Sequence, residues 1–534
     1  MEGERKKSMY RKDSEGWLKH TDFIILDMIC LQLAYVLAYA ISGYGFNPYE
    51  TIIYRNMAVF LELADLVMIF AYGTMKSVLK RGYYSNFGSK VLTFLIVPLY
   101  TYYLTTEEFG TYDTIISFMN LLAPICILAI HEGLLRWLLK SNEKHGDILG
   151  SGLGLLFTFI VITDTITFVV CSIFHWKYTF VFIALLTAFA LHNCFQFIAR
   201  GEKENKVFAI SGIIYTMVML SLNILFVMVF RFGVQGMLWS MTLAYCSDVV
   251  YLIFSLRKKL RLKEMRFNKT LAFSMLSFSI MLVPNSVSWW IMNASDRIML
   301  TMMVGAATTG IYSLANKFPS IVTILHSLFY QAWQEQAVLE YDSEGRDTYY
   351  TNVFNTYMKL ACCAVAVLIP LSKIIILFFM NKSYASSYQY LGILYLGSLF
   401  SSFAGFYGTG YISAKDTKNA MKTTIVGAVI NLIVNLLLIP VIDIWAACLS
   451  TVCGNIVVWA MRVKHTKKYF KISVDWKSFY FIMIVNVAFT FLNCFSNNII
   501  TFLMIGFAIV ISIVINKTVI LNAFYVLKKK VVKE

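Results

Sequence analysis

LACCAVAVLIPLSKIIILFF, residues Leu360–Phe379, is an apolar run with one charge, Lys373. As a helix rising about 1.5 Å per residue it is about 30 Å long, the thickness of a bilayer's hydrocarbon. The pattern repeats outward from it along the chain. About sixteen such runs can be marked at the length a membrane helix needs. Two lie near 21–41 and 56–75. Six follow near 86–104, 113–138, 149–173, 178–199, 207–230 and 235–256. Six more lie near 270–292, 309–333, 353–380, 386–412, 419–440 and 444–462, and two close the chain near 477–495 and 499–526.

Composition points the same way. Of 534 residues 58% are hydrophobic and 14% charged, against about 25% charged in soluble proteins. So many apolar side chains cannot be hidden from water, because polar residues must still coat the outside. This excludes a soluble enzyme, a disordered chain and a secreted disulfide scaffold. The net charge of +16 would raise nucleic acid in a soluble protein, but the cations sit between apolar runs, and no nucleic-acid partner is expected. The ten cysteines fall within or at the ends of apolar runs with no CxxC spacing, so no metal and no cofactor is expected. The basic N-terminus (Arg5, Lys6, Lys7, Arg11, Lys12) precedes a run with no small-residue cleavage site, which reads as a retained helix.

Charge also sets orientation. With the N-terminus cytoplasmic and every run crossing, the inside loops are 1–20, 76–90, 136–147, 200–206, 257–269, 334–352, 413–418, 463–476 and the tail. They and their flanks hold all of the 46 Lys and Arg except Arg55, Lys177, Arg231, Arg297, Lys317, Lys373 and Lys382. Cytoplasmic enrichment of cations is the usual topological signal. It places both termini in the cytoplasm.

Two long halves, about 86–257 and 270–463, show faint self-similarity. The first holds Val97-Pro98 and Gly110-Thr111-Tyr112, the second Val283-Pro284 and Gly310-Ile311-Tyr312. Proline and glycine stand farther apart in the second half, which predicts a longer hairpin there. Pro98 and Pro284 are hinge candidates, since proline removes a helical hydrogen bond.

No phosphate loop, GxSxG elbow or HExxH occurs, and the loops are too short for a catalytic domain, so the chain reads as a non-enzyme. Gly150-Ser151-Gly152-Leu153-Gly154 reads as a helix-packing stripe. Ionisable groups at membrane depth are costly and therefore informative. His131, Glu132 and Arg136 form the densest group. Glu132 and Arg136 are four apart and able to pair, and an ordinary ion pair at the rim is the plain alternative. Lys90 ends the preceding run, where topology alone would account for it. Lys317 sits within an apolar run beside Pro319 with no acidic neighbour in sequence, and reads as facing a cavity or a partner helix. Asp296-Arg297 is either a surface turn or the outer gate of an anion path. Asp164 and Asp248 could take up H⁺ or Na⁺, or be satisfied by a nearby Ser or Thr. His192 and His326 read as hydrogen-bonded core residues. Gln331 and Trp333 suit sugar stacking, although Trp333 reads first as an interfacial anchor. Lys90, Arg136, Arg297 and Lys317 together favour an anionic substrate, and cationic side chains bind phosphate oxygens well.

From Ser85 onward the chain resembles a known family. Asn86-Phe87-Gly88-Ser89-Lys90, Val97-Pro98-Leu99-Tyr100-Thr101 and Glu107-Glu108-Phe109-Gly110-Thr111-Tyr112-Asp113 look like the opening of bacterial polysaccharide repeat-unit (O-antigen or capsule) flippases. Asp296-Arg297, Gly310-Ile311-Tyr312-Ser313 and Ala332-Trp333-Gln334 fit the same family, which lies in the multidrug/oligosaccharidyl-lipid/polysaccharide exporter superfamily. Where many relatives have arginine, this chain has Tyr102. The resemblance implies fourteen helices, two six-helix lobes around a central cavity plus two more, and movement of an undecaprenyl-diphosphate-linked oligosaccharide between leaflets. Residues 1–84 differ. Gly16-Trp17-Leu18-Lys19-His20-Thr21-Asp22-Phe23, Asn47-Pro48-Tyr49 and Lys80-Arg81-Gly82-Tyr83-Tyr84 resemble the membrane segment of polyprenyl-phosphate sugar-phosphate transferases, without their catalytic domain.

The expected class is thus an all-α integral membrane protein of about sixteen transmembrane helices. Its expected divisions are a two-helix segment (1–84), a first lobe (85–262), a second lobe (263–468), and two final helices with a basic tail (469–534). The expected role is a flippase of the bacterial cytoplasmic membrane, its partners being the lipid-linked oligosaccharide, membrane lipids, H⁺ or Na⁺, and other membrane proteins of the pathway. Alternatives are a drug or cation antiporter on the same fold, a membrane glycosyltransferase or polymerase, and an inactive fusion.

Overall fold

A computed structural model describes residues 97–140, 143–260, 264–414, 416–519 and 521, with positions 32, 36, 49 and 55. The chain divides into two units, Met1–Tyr84 and Ser85–Glu534. In the first, the Tyr49 hydroxyl donates to the Gln32 side-chain carbonyl (2.6 Å). The runs expected near 21–41 and 56–75, and Lys90, lie outside the described residues.

In the second unit the described elements are all helical. The first half supplies α1 (Val97–Tyr103), α2 (Thr106–Cys126), α3 (Ile130–Lys140), α4 (His145–Ile173), α5 (Thr179–Gly201), α6 (Asn205–Asn223, continued as a π-helix to Val229) and α7 (Gly233–Leu260). The second supplies α8 (Lys269–Ile280), α9 (Val283–Met303), α10 (Ala306–Lys317), α11 (Ser320–Leu339), α12 (Arg346–Phe379), a 3₁₀ segment (Lys382–Tyr390), α13 (Leu391–Ser413) and α14 (Thr417–Thr466). Then come α15 (Trp476–Phe495) and α16 (Asn498–Ile515). Among the described residues nine helices are long and apolar enough to cross a bilayer, and the bent pair α2–α3 makes a tenth. The chain is a multi-pass, all-α membrane protein. Lys373, the one charge in the Leu360–Phe379 run, is explained by α15. Its ammonium donates to the carbonyls of Asn493 and Ser496 (2.8 and 2.7 Å), and a cation at a helix C-terminus is favoured by the helix dipole.

Several helices break at or near a proline, as the missing N–H predicts. The α2–α3 pair bends by 54° at Leu128 and Ala129, both with positive φ, shortly after Pro124. Pro284 opens α9 just past the break that separates it from α8. Pro319 stands between α10 and α11. The 50-residue α14 turns at Ile442 and Asp443, two residues past Pro440. At about 75 Å its arms are long enough for the two crossings expected at 419–440 and 444–462. Pro98 lies in the first turn of α1, and the segment before it is outside the described residues.

One expectation is corrected. The wider proline-to-glycine spacing of the second half comes from helix rather than hairpin. α9 continues to Met303 and the link to α10 is only Val304-Gly305, with Gly305 at φ +132°, a conformation open mainly to glycine.

Among the described residues the apolar side chains form several cores, of which two matter for the site. One joins α3, α4, α5 and α7, including Leu134, Leu149, Ile198 and Leu252, and takes in Leu271 and Met275 of α8. The other is dominated by aromatic side chains of α11, α12 and α13, among them Trp333, Tyr350, Phe354, Phe403 and Phe406. After the break at Pro284, α9 leaves the first core and packs against α2 on one side and α14 on the other.

Candidate functional site

The two halves meet where α2 lies against α9 and α10. On α2 the meeting face is Gly110, Asp113, Thr114 and Ser117, spaced three and four apart as one helix face requires. On α9 it is Trp290, Arg297 and Thr301, and on α10 it is Gly310, Ser313 and Lys317. The Trp290 indole donates to the Ser117 carbonyl (2.7 Å). The Thr114 and Thr301 hydroxyls are 2.6 Å apart, and Thr301 bonds on to Thr309 (2.8 Å).

Asp113 is the centre of this junction. Its carboxylate is ion-paired to the Arg297 guanidinium, lies 3.5 Å from the Lys317 ammonium, and accepts from the Ser313 hydroxyl (2.6 Å). One buried acid from the first half is therefore shared by two cations from the second. The three side chains together carry a net positive charge. Asp113 is almost fully buried, while the Lys317 side chain is 35% exposed, so the cluster keeps an opening on the lysine side.

Asp296 and Arg297 are adjacent on α9, so they point to different neighbours. Arg297 reaches across to the first half. Asp296 is fully buried in its own half, accepting from Tyr312 (2.8 Å), Thr451 (2.9 Å) and Asn435. A buried carboxylate needs such donors. The expectation of a surface turn at Asp296-Arg297 is thereby corrected.

Beyond this cluster, toward the 104–105 and 304–305 links, the halves close on each other. Gly110 and Gly310 cross so tightly that a Cβ on Gly110 would stand 1.8 Å from the Ala306 carbonyl oxygen, and one on Gly310 1.9 Å from that of Thr106. The two Gly-x-Tyr strings that marked the halves as similar are thus packed against one another. The Thr105-Thr106-Glu107-Glu108 link is fixed by a capping box. Thr105 and Glu108 each bond the other's backbone N–H (Thr105 Oγ1 at 3.2 Å, Glu108 Oε2 at 2.9 Å), as Ser/Thr-x-x-Glu does at a helix start. The Tyr384 hydroxyl of the 3₁₀ segment donates to the Leu104 and Thr105 carbonyls (3.1 and 2.8 Å), and Thr101 Oγ1 accepts from the Asn381 N–H (3.2 Å).

The other expected residues fall elsewhere. Arg136 is exposed and lies over the Phe278 ring (4.2 Å). Among the described residues it makes no ion pair with Glu132, and that expected pair is corrected. His131 meets the edge of Phe197 (4.7 Å), away from Asp113. Trp333 is 3% exposed. It stacks on Phe406 (4.3 Å) and donates to Thr409 (2.9 Å), so it is a core residue, neither an interfacial anchor nor a free sugar platform. The Gln331 side chain lies outside the described residues. Asp164 accepts from Thr187 (2.7 Å). Asp248, fully buried, bonds His192 (2.6 Å), and its second oxygen has no partner among the described residues. The residue passed over in the sequence is Asp113. It stands at the very start of the expected 113–138 run, where an acid carries no signal of burial.

Residues 82–334 match a family of polysaccharide biosynthesis proteins. An uncharacterized membrane protein of Methanocaldococcus jannaschii, MJ1068, is 22% identical over 426 residues, which cover 71% of this chain and 81% of that protein. Among solved structures, lipid II flippase MurJ in an inward closed conformation superposes with a TM-score of 0.64 at 14% identity, over 82% of this chain and 98% of that one. An inward-facing multidrug resistance MATE family transporter of the MOP superfamily gives 0.59 at 13% identity, over 75% and 95%. The fold is the one these transporters share.

Proposed function

Taking as premise a fold shared with a lipid II flippase and MATE transporters, and a family match to polysaccharide biosynthesis proteins, we propose that this chain is a flippase of a bacterial cytoplasmic membrane. It carries undecaprenyl-diphosphate-linked oligosaccharide repeat units between leaflets by alternating access, with no covalent step. One observation supports this reading most. Arg297 and Lys317 are held between the two halves at membrane depth by a single acid, Asp113.

A diphosphate offers more negative charge than one carboxylate, and in the same low-dielectric setting it competes for both cations. Drawing Arg297 and Lys317 away from Asp113 removes the ion pairs that join the halves. The ligand then has different affinity for joined and parted states, which is the requirement for it to drive a conformational change. Under the orientation read from the Lys and Arg distribution, the Gly110–Gly310 crossing lies on the outer side, so the substrate enters from the cytoplasm. Asp248, with its unpartnered oxygen, and Asp164 are the candidate sites for a coupling H⁺ or Na⁺.

The test is complementation of a bacterium lacking a repeat-unit flippase. Surface polysaccharide is expected to return with the full chain. Arg297→Ala and Lys317→Ala are each expected to abolish it while the protein still reaches the membrane. Failure of the unaltered chain to restore it overturns the reading and favours a cation antiporter, and restoration by both variants at the level of the unaltered chain overturns the role given to Arg297 and Lys317. A chain starting at Ser85 tests what the first 84 residues add.

A further inference from the structure

A second cation, not used by the junction, lies inside the second half. Arg462, on the second arm of α14, is 6% exposed. Its guanidinium donates only to neutral groups, namely the Ala404 carbonyl (2.7 Å) and the Thr423 and Thr424 hydroxyls (3.2 Å each). Among the described residues no carboxylate lies within ion-pair distance of it. A guanidinium has five N–H donors, and a charge buried without a counter-charge is costly.

Arg462 lines a cavity of about 920 Å³ between α9, α11, α13 and α14. Among the described residues no acid lines this cavity. His326, Tyr330, Trp289 and Lys418 do, with several Ser and Thr hydroxyls. Two glycines on one face of α13 make the room. A Cβ on Gly408 would stand 2.8 Å from Arg462 Nη1, and one on Gly405 2.6 Å from His326 Nε2. The other ring nitrogen of His326 is fixed by the Tyr357 hydroxyl (2.7 Å). The plain explanation, a cross-tie between α13 and α14, accounts for the three hydrogen bonds. It does not account for a full charge set among neutral acceptors, nor for the cavity beside it.

We propose that this cavity is an oxyanion-binding subsite for a charged sugar, with Arg462 and Lys418 supplying charge and Trp289 and Tyr330 supplying ring faces. Cavity and charge stand without the flippase reading; the identity of the group that bears the oxyanion rests on it. The oxyanion is either a sugar carboxylate or the sugar-linked diphosphate. The cavity sits apart from the Asp113 cluster. α9 carries Trp289 eight residues before Arg297, about 12 Å along the helix axis, so one extended ligand can touch both.

The test uses the full chain purified in detergent and titrated by calorimetry with sodium glucuronate, inorganic diphosphate and glucose. Glucuronate or diphosphate is expected to bind and glucose not to. Stronger binding of glucuronate assigns the site to an acidic sugar; stronger binding of diphosphate assigns it to the carrier linkage. Arg462→Gln, which keeps two donors and removes the charge, is expected to weaken binding at least about tenfold, the usual scale of a lost charge-assisted contact. Lys418→Ala, at an exposed position, is expected to weaken it several-fold and serves if the first variant does not fold. Arg297→Ala, which removes a cation of the Asp113 junction, is expected to lower diphosphate binding and abolish complementation while the Arg462-dependent binding of glucuronate persists, which separates failure of this subsite from failure of the flippase reading. Absence of binding by both anions, or binding indifferent to Arg462→Gln and Lys418→Ala, overturns the proposal.

Discussion

Asp113→Ala is expected to lower the thermal stability of the detergent-purified chain by about 3–5 kcal/mol, the cost of removing one partner of a buried ion pair. The reason is what stays behind. Arg297 keeps its charge in a largely buried interface, Lys317 loses its acid, and the Ser313 hydroxyl loses its acceptor. Much of the loss therefore belongs to the stranded arginine. Asp113→Ala combined with Arg297→Met is accordingly expected to melt higher than Asp113→Ala alone, because groups in direct contact are not additive. Asp113→Asn, which keeps an acceptor for Ser313, is expected to fall between. Equal melting temperatures for Asp113→Ala and the unaltered chain would contradict this account of the junction.

Gly110→Ala, a change of one methyl group, is expected to have the second largest effect, and on transport more than on folding. Its Cβ would meet the Ala306 carbonyl oxygen at 1.8 Å. That atom is backbone and cannot swing aside as a side-chain tip can. The halves must separate at this end or the helices must shift. Overpacking of this kind costs about 1–3 kcal/mol, enough to move a two-state equilibrium about 5- to 150-fold. Surface polysaccharide is expected to fall with protein level unchanged. A cysteine placed at Thr114 is expected to react faster with a membrane-impermeant maleimide in the Gly110→Ala background. Gly310→Ala, against the Thr106 carbonyl, is expected to behave alike. Gly506→Ala on α16, where an added Cβ meets nothing within 4 Å, is the neutral control.

Much of this architecture was legible before any coordinates. Apolar runs such as Leu360–Phe379 announce membrane helices because hydrophobic length is a local property. The prolines at 284, 319 and 440 announce breaks for the same reason. Lys317 was legible in part. Its place in an apolar run without an acidic neighbour in sequence called for a partner helix or a cavity, and Asp113 on α2 lies 3.5 Å from it. Its partner was not legible, because Asp113 lies in the other half and pairing across a fold has no period. The Glu132–Arg136 spacing shows the opposite failure. A spacing of four permits a pair, but Phe278, brought in by α8, offers the arginine a different seat. Trp333 looked like an anchor because tryptophan favours membrane interfaces, yet the rings of Phe329, Tyr350 and Phe406 enclose it. Arg462 was absorbed into the cytoplasmic charge pattern. Only the carbonyl and hydroxyls around it reveal that its charge is unanswered.

On the proposed mechanism transport depends on the parting of α2 from α9 and α10, and Thr114 on α2 and Thr301 on α9 offer the most direct handle on it. Their hydroxyls are 2.6 Å apart across the interface, so cysteine sulfurs at these positions would lie close together. In cells carrying Thr114→Cys with Thr301→Cys, oxidation is expected to stop the appearance of new surface polysaccharide and reduction to restore it, with either single variant unaffected. Undiminished export by the fully cross-linked protein would mean that the two halves do not separate there, and the junction at Asp113, Arg297 and Lys317 would be a fixed strut rather than a gate.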